Sequence, residues 1–514
     1  MVTVEILSDD VLLETFRHYL NLSPRSWPTL AHVCQRWRQI VFTSPHSLDL
    51  RLYCTYGTPV LKTLDYWPPF PLVLNYGGSP MLGPPSLDDE ENIMAALKQS
   101  NHVRSISLTV TSSLVEKLSK ISEPFTELEE ISLHSQDNLQ LTLPSAFRWG
   151  SRLRTLHSTR IAFPSFPELL LPSKDLVDLQ LDKIPSVGYF SPEAFTNALS
   201  VMTQLRSLSL HFLSFPPRRS YLGWHPQPGQ RAVLPALSRL KYRGTSKYLD
   251  TFVARIDAPC LSDIDISFFH QPTMDTAQLG QFIERTEMQT SLSQADVFTS
   301  ANIASISLSE PGARVRLALQ ISCAQVDWQL SSMTQICNHF SRFLSHVEDL
   351  GISSTQSPSG TNDMDHEQWE EIFHTFNGAV VLRATGTLAA DILRTLSLTV
   401  GEQNVLPALR TLHVPELGEG PMTLRQATES FITSRQLSGH PLEVHPLLVL
   451  PNLDSKRTPV LSQKNAVASY VNQIQAPDSI QALIQAIEPV PWWTQFGTPQ
   501  ADVSANFPHV CMHG

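Results

Sequence analysis

One phrase limits what this chain can fold into more than any other feature. An apolar residue, two others, an apolar residue, one other and a further apolar residue recur at 103–108 (VRSISL), 128–133 (LEEISL), 176–181 (LVDLQL), 205–210 (LRSLSL), 237–242 (LSRLKY) and 261–266 (LSDIDI). Leu153-Arg154-Thr155-Leu156 is a shorter copy, 347–352 (VEDLGI) restarts the phrase, and 409–414 (LRTLHV) is a late copy. From 103 to 261 the first positions lie 25, 25, 23, 29, 32 and 24 residues apart. The alternation inside the phrase predicts a short strand with one buried face. Between copies there is room for one helix or loop. A unit this small cannot bury its own apolar side and must stack on its neighbours, so the copies predict parallel strands lying side by side.

This pattern resembles the leucine-rich repeat. The Asn or Cys that usually follows the phrase is mostly missing, and the spacing wanders, so the resemblance implies an irregular solenoid with a parallel sheet rather than a smooth horseshoe. The 32-residue step has a visible cause in residues 215–229, which hold Phe215-Pro216-Pro217-Arg218-Arg219 and Trp224-His225-Pro226-Gln227-Pro228-Gly229. Such a segment predicts an exposed loop at the edge of the array, and Arg218, Arg219 and Trp224 are candidate target contacts there. Aligning Leu237 with Leu261 sets Arg239 opposite Asp263 and Lys241 opposite Asp265, which predicts a ladder of ion pairs on the outward face. These four are further candidate target contacts.

Between about 270 and 346 the phrase fades. Residues 278–284 predict a helix, 303–308 and 315–321 a hairpin around Glu310-Pro311-Gly312, and 333–344 another helix. A final helix over 424–437 should stop at Ser438-Gly439, where glycine supplies the left-handed cap, and should cover the end of the array. Before the array, residues 50–90 are rich in Pro and Gly, and only Leu72-Val73-Leu74 reads as a strand. Residues 92–98 read as a helix.

At the other end, Val11-Leu12-Leu13-Glu14-Thr15-Phe16 predicts one helix. Leu30, Val33, Cys34, Trp37, Ile40 and Val41 fall at helical spacing and predict a second, beyond the break at Ser23-Pro24-Arg25-Ser26-Trp27-Pro28. Two helices this short display more apolar surface than they can bury between them, so part of it should meet a partner. Residues 7–16 (LSDDVLLETF) and 33–38 (VCQRWR) resemble an F-box, with Ser8 where proline is usual. The resemblance implies docking to a Skp-type adaptor and its cullin complex through Leu7, Val11, Leu12, Phe16, Leu30, Val33, Cys34 and Trp37. Val11, Leu12 and Val33 are the main candidates for contact, and Trp37 is expected to hold the helices together. The whole resembles fungal F-box proteins with degenerate leucine-rich repeats.

Composition narrows the function. With 48 acidic against 37 basic residues the net charge is −11, and no basic run offers a nucleic-acid face. No stretch reaches the length that spans a bilayer. The six cysteines include no C-x-x-C pair, and the N-terminus lacks the pattern of a signal peptide, so a cytoplasmic or nuclear location is expected. No phosphate-binding, zinc-protease or hydrolase motif is present, and no metal or cofactor is expected. His134, His157, His211 and His413 sit in or beside repeat strands, where exposed polar positions explain them more simply than a metal site.

The expected organisation is an F-box over 1–48, a connecting segment over 49–100 that starts the solenoid, an irregular repeat domain over 101–445 and a tail over 446–514. The tail is expected to be largely disordered, apart from a short helix beginning at Asp478-Ser479-Ile480-Gln481. The expected function is a non-catalytic substrate receptor of a Skp–cullin–F-box ubiquitin ligase, its solenoid binding a protein target. The alternatives are an adaptor-independent interaction scaffold and an α/β enzyme with dispersed catalytic residues.

Overall fold

The computed structural model describes residues 7–66, 68–77, 83–135, 141–163, 165–215, 231–290, 292–311, 315–323, 326–355, 366–386, 388–398, 405–415 and 422–447. The chain divides into two compact units, Met1–Asp49 with Leu450–Gly514, and Leu50–Val449. Arg218, Arg219, Trp224 and the segment expected to form a helix from Asp478 lie outside the described residues.

In the first unit, α1 (Asp9–Leu22) starts where Ser8 turns extended and its hydroxyl accepts from the Val11 amide. Asp9 and Asp10 place negative charge in the first turn, where the helix dipole favours it. Leu12, Phe16 and Leu20, each four residues on, form its buried stripe. A 3-10 turn at Pro24–Ser26 leads into α2 (Trp27–Val33) and then α3 (Gln35–Thr43). The single second helix expected over 30–40 is therefore two. Cys34 is extended (φ −158°, ψ 171°), and its Sγ accepts from the Trp37 amide at 3.5 Å to cap α3. Apolar spacing alone could not show the break, because Leu30 of α2 and Ile40 and Val41 of α3 are all buried and keep one helical spacing across it. Trp37 lies 4.7 Å from Phe16, ring centre to ring centre, which fits its expected anchoring role.

The second unit is mixed α/β. Its first strands are β1 (Leu52–Thr55), β2 (Leu72–Tyr76), β3 (Val103–Val110), β4 (Glu130–Ser135), β5 (Leu141–Thr142), β6 (Thr155–Thr159), β7 (Ile161–Ala162), β8 (Asp178–Ile184), β9 (Ser207–Phe212) and β10 (Ala232–Val233). Then come β11 (Arg239–Gly244), β12 (Ile256–Asp257), β13 (Asp263–Phe269), β14 (Gln294–Thr299), β15 (Ile303–Ser309), β16 (Val315–Ser322), β17 (Asp349–Ser354), β18 (Val381–Gly386), β19 (Thr411–Pro415) and β20 (Glu443–Leu447). Among the described residues, sixteen of them form one sheet in the order β1-β2-β3-β4-β6-β8-β9-β11-β13-β16-β15-β14-β17-β18-β19-β20. The pairs β5–β7 and β10–β12 form two small separate ladders.

The repeated phrase supplies the register. Leu179 faces Leu208, Leu208 faces Leu240, and Leu240 faces Ile264, so equivalent phrase positions make one buried row across four strands. Each such side chain contributes about 1.5–3 kcal/mol by leaving water.

Between strands run α4 (Val60–Tyr66), α5 (Leu87–Leu97), α6 (Ser112–Leu118), α7 (Phe166–Leu170), α8 (Pro192–Leu199), α9 (Ser246–Val253), α10 (Ala277–Glu284), α11 (Val326–His339), α12 (Ser341–Leu344), α13 (His366–Thr375), α14 (Ala389–Leu398) and α15 (Met422–Leu437). Neighbouring helices pack in chain order, α4 on α5, α7 on α8, α8 on α9, α9 on α10 and α14 on α15. Acidic and amide side chains on one helix reach the start of a neighbouring one, where some backbone N–H groups lack intrahelical partners. On α5, Asp89 accepts from Gly57 N and Asn92 from Val60 N, both at 3.1 Å, while Glu90 accepts from Thr111, Ser113 and Lys117 around the start of α6. On α9, Asp250 Oδ1 accepts from Gln278 N at 2.7 Å and Leu279 N at 3.0 Å, at the start of α10.

The parallel order breaks once. After β13 the chain enters the sheet three places along as β14, then returns through β15 and β16 so that β16 pairs with β13. β15 is antiparallel to both its neighbours. The hairpin expected at 303–321 is there, whereas β14 and β1 were not anticipated. Antiparallel strands need only a turn between them, so the long period lapses where the chain doubles back. The end of the sheet also differs from expectation. The last helix stops at Ser438-Gly439 as anticipated, with Gly439 at φ +81°, but it does not close the array. β20 follows and pairs with β19.

Candidate protein-docking surfaces

The N-terminal unit sorts the expected adaptor residues into two groups. Leu12 (1% exposed), Phe16 and Leu30 are interior, together with Leu20 and Trp27. Leu12 is thus a core residue and not the main contact its sequence position suggested. It lies four residues before Phe16, on the stripe that faces the other helices. Val11 (48% exposed) and Val33 (56%) stand in solvent, Cys34 is exposed, and Leu7 and Trp37 are half-buried. The fold therefore leaves a set of aliphatic side chains outside a core that is already closed. Apolar surface of this kind is where a partner gains most by docking.

What joins the two parts of this surface is not legible in the sequence. Arg36, on α3, donates from Nη2 to the Leu7 carbonyl at 2.5 Å, and from Nε and Nη2 to Asp9 Oδ1 at 3.0 and 2.7 Å. The pair spans 27 residues, and no local motif announces it.

On the sheet, the phrase positions that are not buried share the second face. Arg239 pairs in register with Asp263, and their side chains meet at 3.2 Å. Lys241 and Asp265 also lie opposite each other on this face, but no ion pair joins them, so the expected ladder has one rung. Neighbouring strands add His157 to Asp178 at 3.1 Å and His211 to Asp182 at 2.9 Å. Burial alone would raise both carboxyls. The hydrogen bond and charge of His157 for Asp178, and the close His211 and Gln180 side chains for Asp182, outweigh it and hold both below the ordinary value. Burial and the charges of Arg160 and Lys183 lower the His134 imidazole. Farther along, Arg383 donates to Asp349 at 2.8 Å and reaches Asp296 at 3.3 Å across the side-chain-free position Gly351. Sequence reasoning missed this cluster because its members are spread over 88 residues.

One trio on this face has the composition of a hydrolytic triad. His211 Nδ1 lies 2.9 Å from Asp182 Oδ1, and His211 Nε2 lies 3.5 Å from the Ser209 hydroxyl. Such chemistry also needs N–H donors aimed at an oxyanion. β9 lies mid-sheet with its backbone engaged in ladders to β8 and β11, so strand amides beside Ser209 serve the sheet. Ser209 is itself buried, at 6% exposure. Among the described residues no group of three or more His, Cys, Asp or Glu is placed to hold a metal ion, and no helix is long and apolar enough to cross a membrane.

No protein-family model matches the chain, and no curated protein matches it either.

Proposed function

We propose that the chain is a non-catalytic substrate receptor of a Skp–cullin–F-box ubiquitin ligase. In this reading the N-terminal unit is an F-box and the second unit an irregular leucine-rich-repeat solenoid that holds a protein target. The observation that carries it is the three-helix unit with its core closed on Leu12, Phe16 and Trp27 while Val11 and Val33 remain exposed. Support for the second half comes from the repeated phrase, whose copies lie side by side as parallel strands with one buried and one charged face. Arg239, Lys241, Asp263 and Asp265 on that second face are the residues assigned to the target. The receptor supplies proximity and orientation, and the covalent chemistry belongs to other subunits.

The test is direct binding of the purified chain to a purified Skp-type adaptor. Val11→Asp with Val33→Asp would place two charges in a dry interface and should reduce affinity by about 100-fold or more. Failure of the unaltered chain to bind leaves the adaptor-independent scaffold as the reading.

A further inference from the structure

We propose that Arg36 is a positioning residue for adaptor binding, holding Leu7 in register with the corner that carries Val33 and Cys34. The inference rests on the reading of the N-terminal unit as an adaptor-docking module, and it adds what assembles that site.

The candidate docking residues come from two places in the chain. Leu7 and Val11 belong to the entry and first turn of α1, while Val33 and Cys34 form the α2–α3 corner. Leu12, Phe16 and Leu20 fix α1 against the core, which settles where Val11 points. Leu7 precedes the capping residue Ser8 and so lies outside the helix, half-buried. Its carbonyl accepts from the Arg36 guanidinium, which takes the Asp9 carboxylate as well.

The position of Arg36 has no local rationale. It is the second residue of α3, after the cap at Cys34, where a helix dipole disfavours positive charge. A cation there makes sense through the long-range contact it makes. The contact also suits arginine in particular, since a guanidinium presents several N–H groups in a fixed fork and an ammonium does not. Without that hydrogen bond, Leu7 would have to be ordered during binding, and affinity would fall by that ordering cost although no direct contact had been removed.

The experiment measures adaptor affinity of the full chain for the unaltered protein, Arg36→Ala, Arg36→Lys, Leu7→Ala and the Arg36→Ala/Leu7→Ala double variant. Arg36→Ala should weaken binding about 5- to 20-fold, the range expected from ordering a short segment. Arg36→Lys should recover little of it. The double variant should bind about as Leu7→Ala alone, because Arg36 acts through Leu7. Arg36→Ala within twofold of the unaltered chain, or losses that multiply in the double variant, would overturn the proposal. Hydrogen exchange over residues 12–20 distinguishes misplacement from unfolding. Preserved protection with weakened binding supports the proposal, and lost protection counts against it. If the unaltered chain binds no adaptor, the F-box reading itself fails. Normal binding with a neutral Arg36→Ala sinks only this inference.

Discussion

Replacing Asp250 with asparagine tests how the helical layer is stitched. Asp250 is 4% exposed and caps α10 from the neighbouring helix, using Oδ1 for both backbone donors. Burial, together with the nearby Asp275 charge, pushes its carboxyl from 3.8 up to about 6, although the Leu279 and Gln278 amides pull the other way. A carboxyl raised in the fold takes up a proton more readily there than in the unfolded chain. Its ionisation therefore opposes folding, with no penalty well below pH 3.8 and the full penalty above pH 6. A shift of about two pH units corresponds to roughly 3 kcal/mol. Asparagine keeps an oxygen acceptor for both N–H groups and carries no charge. Asp250→Asn should therefore stabilise the second unit by about 2–3 kcal/mol at pH 7.5, with the gain shrinking toward zero near pH 4. Thermal unfolding at several pH values reads the gap, and hydrogen exchange over residues 277–284 shows whether the cap survives. A variant that is less stable at pH 7.5, or whose gap does not change with pH, would refute the reasoning.

Three further outcomes follow from named contacts. Glu90 is 3% exposed, and burial would raise its carboxyl, yet the Lys117, Ser113 and Thr111 donors hold it below the ordinary value. Its contribution is present above the unfolded pKa and lost as pH falls through the folded one, so Glu90→Gln should cost about 1–3 kcal/mol at neutral pH and less in acid, measured by urea unfolding. At Gly351 an added Cβ would lie 2.0 Å from Asp296 Oδ1. Gly351→Ala should turn the half-exposed Asp296 carboxylate away from Arg383 while the Arg383–Asp349 pair stays, costing at most about 1 kcal/mol, and a thermal-unfolding loss well above that would contradict it. Leu12→Asp should unfold the N-terminal unit itself, seen as loss of protection over residues 12–20, whereas Val11→Asp should leave that protection intact while affecting adaptor binding.

The sequence by itself determined the elements whose side chains repeat. Copies of the phrase had to become strands with one apolar face, and their register follows because equivalent leucines must share a buried row. The stop of the last helix at Gly439 was equally legible, since it depends on a backbone preference local to a few residues. Tertiary structure decided the rest. Cys34 splits what reads as one helix because two short helices can feed the same core from one periodic pattern. Leu12 and Val11 are neighbours of similar character, and only the packing of α2 and α3 makes one interior and the other exposed. The reversal at β14–β16 removes the period that reveals the other strands. Arg36 with Leu7 and Asp9, and Arg383 with Asp296 and Asp349, are contacts between residues far apart in the chain. A sequence carries no signal for such pairs until the fold brings their side chains within a few ångströms, which is the distance over which hydrogen bonds and desolvated charges act.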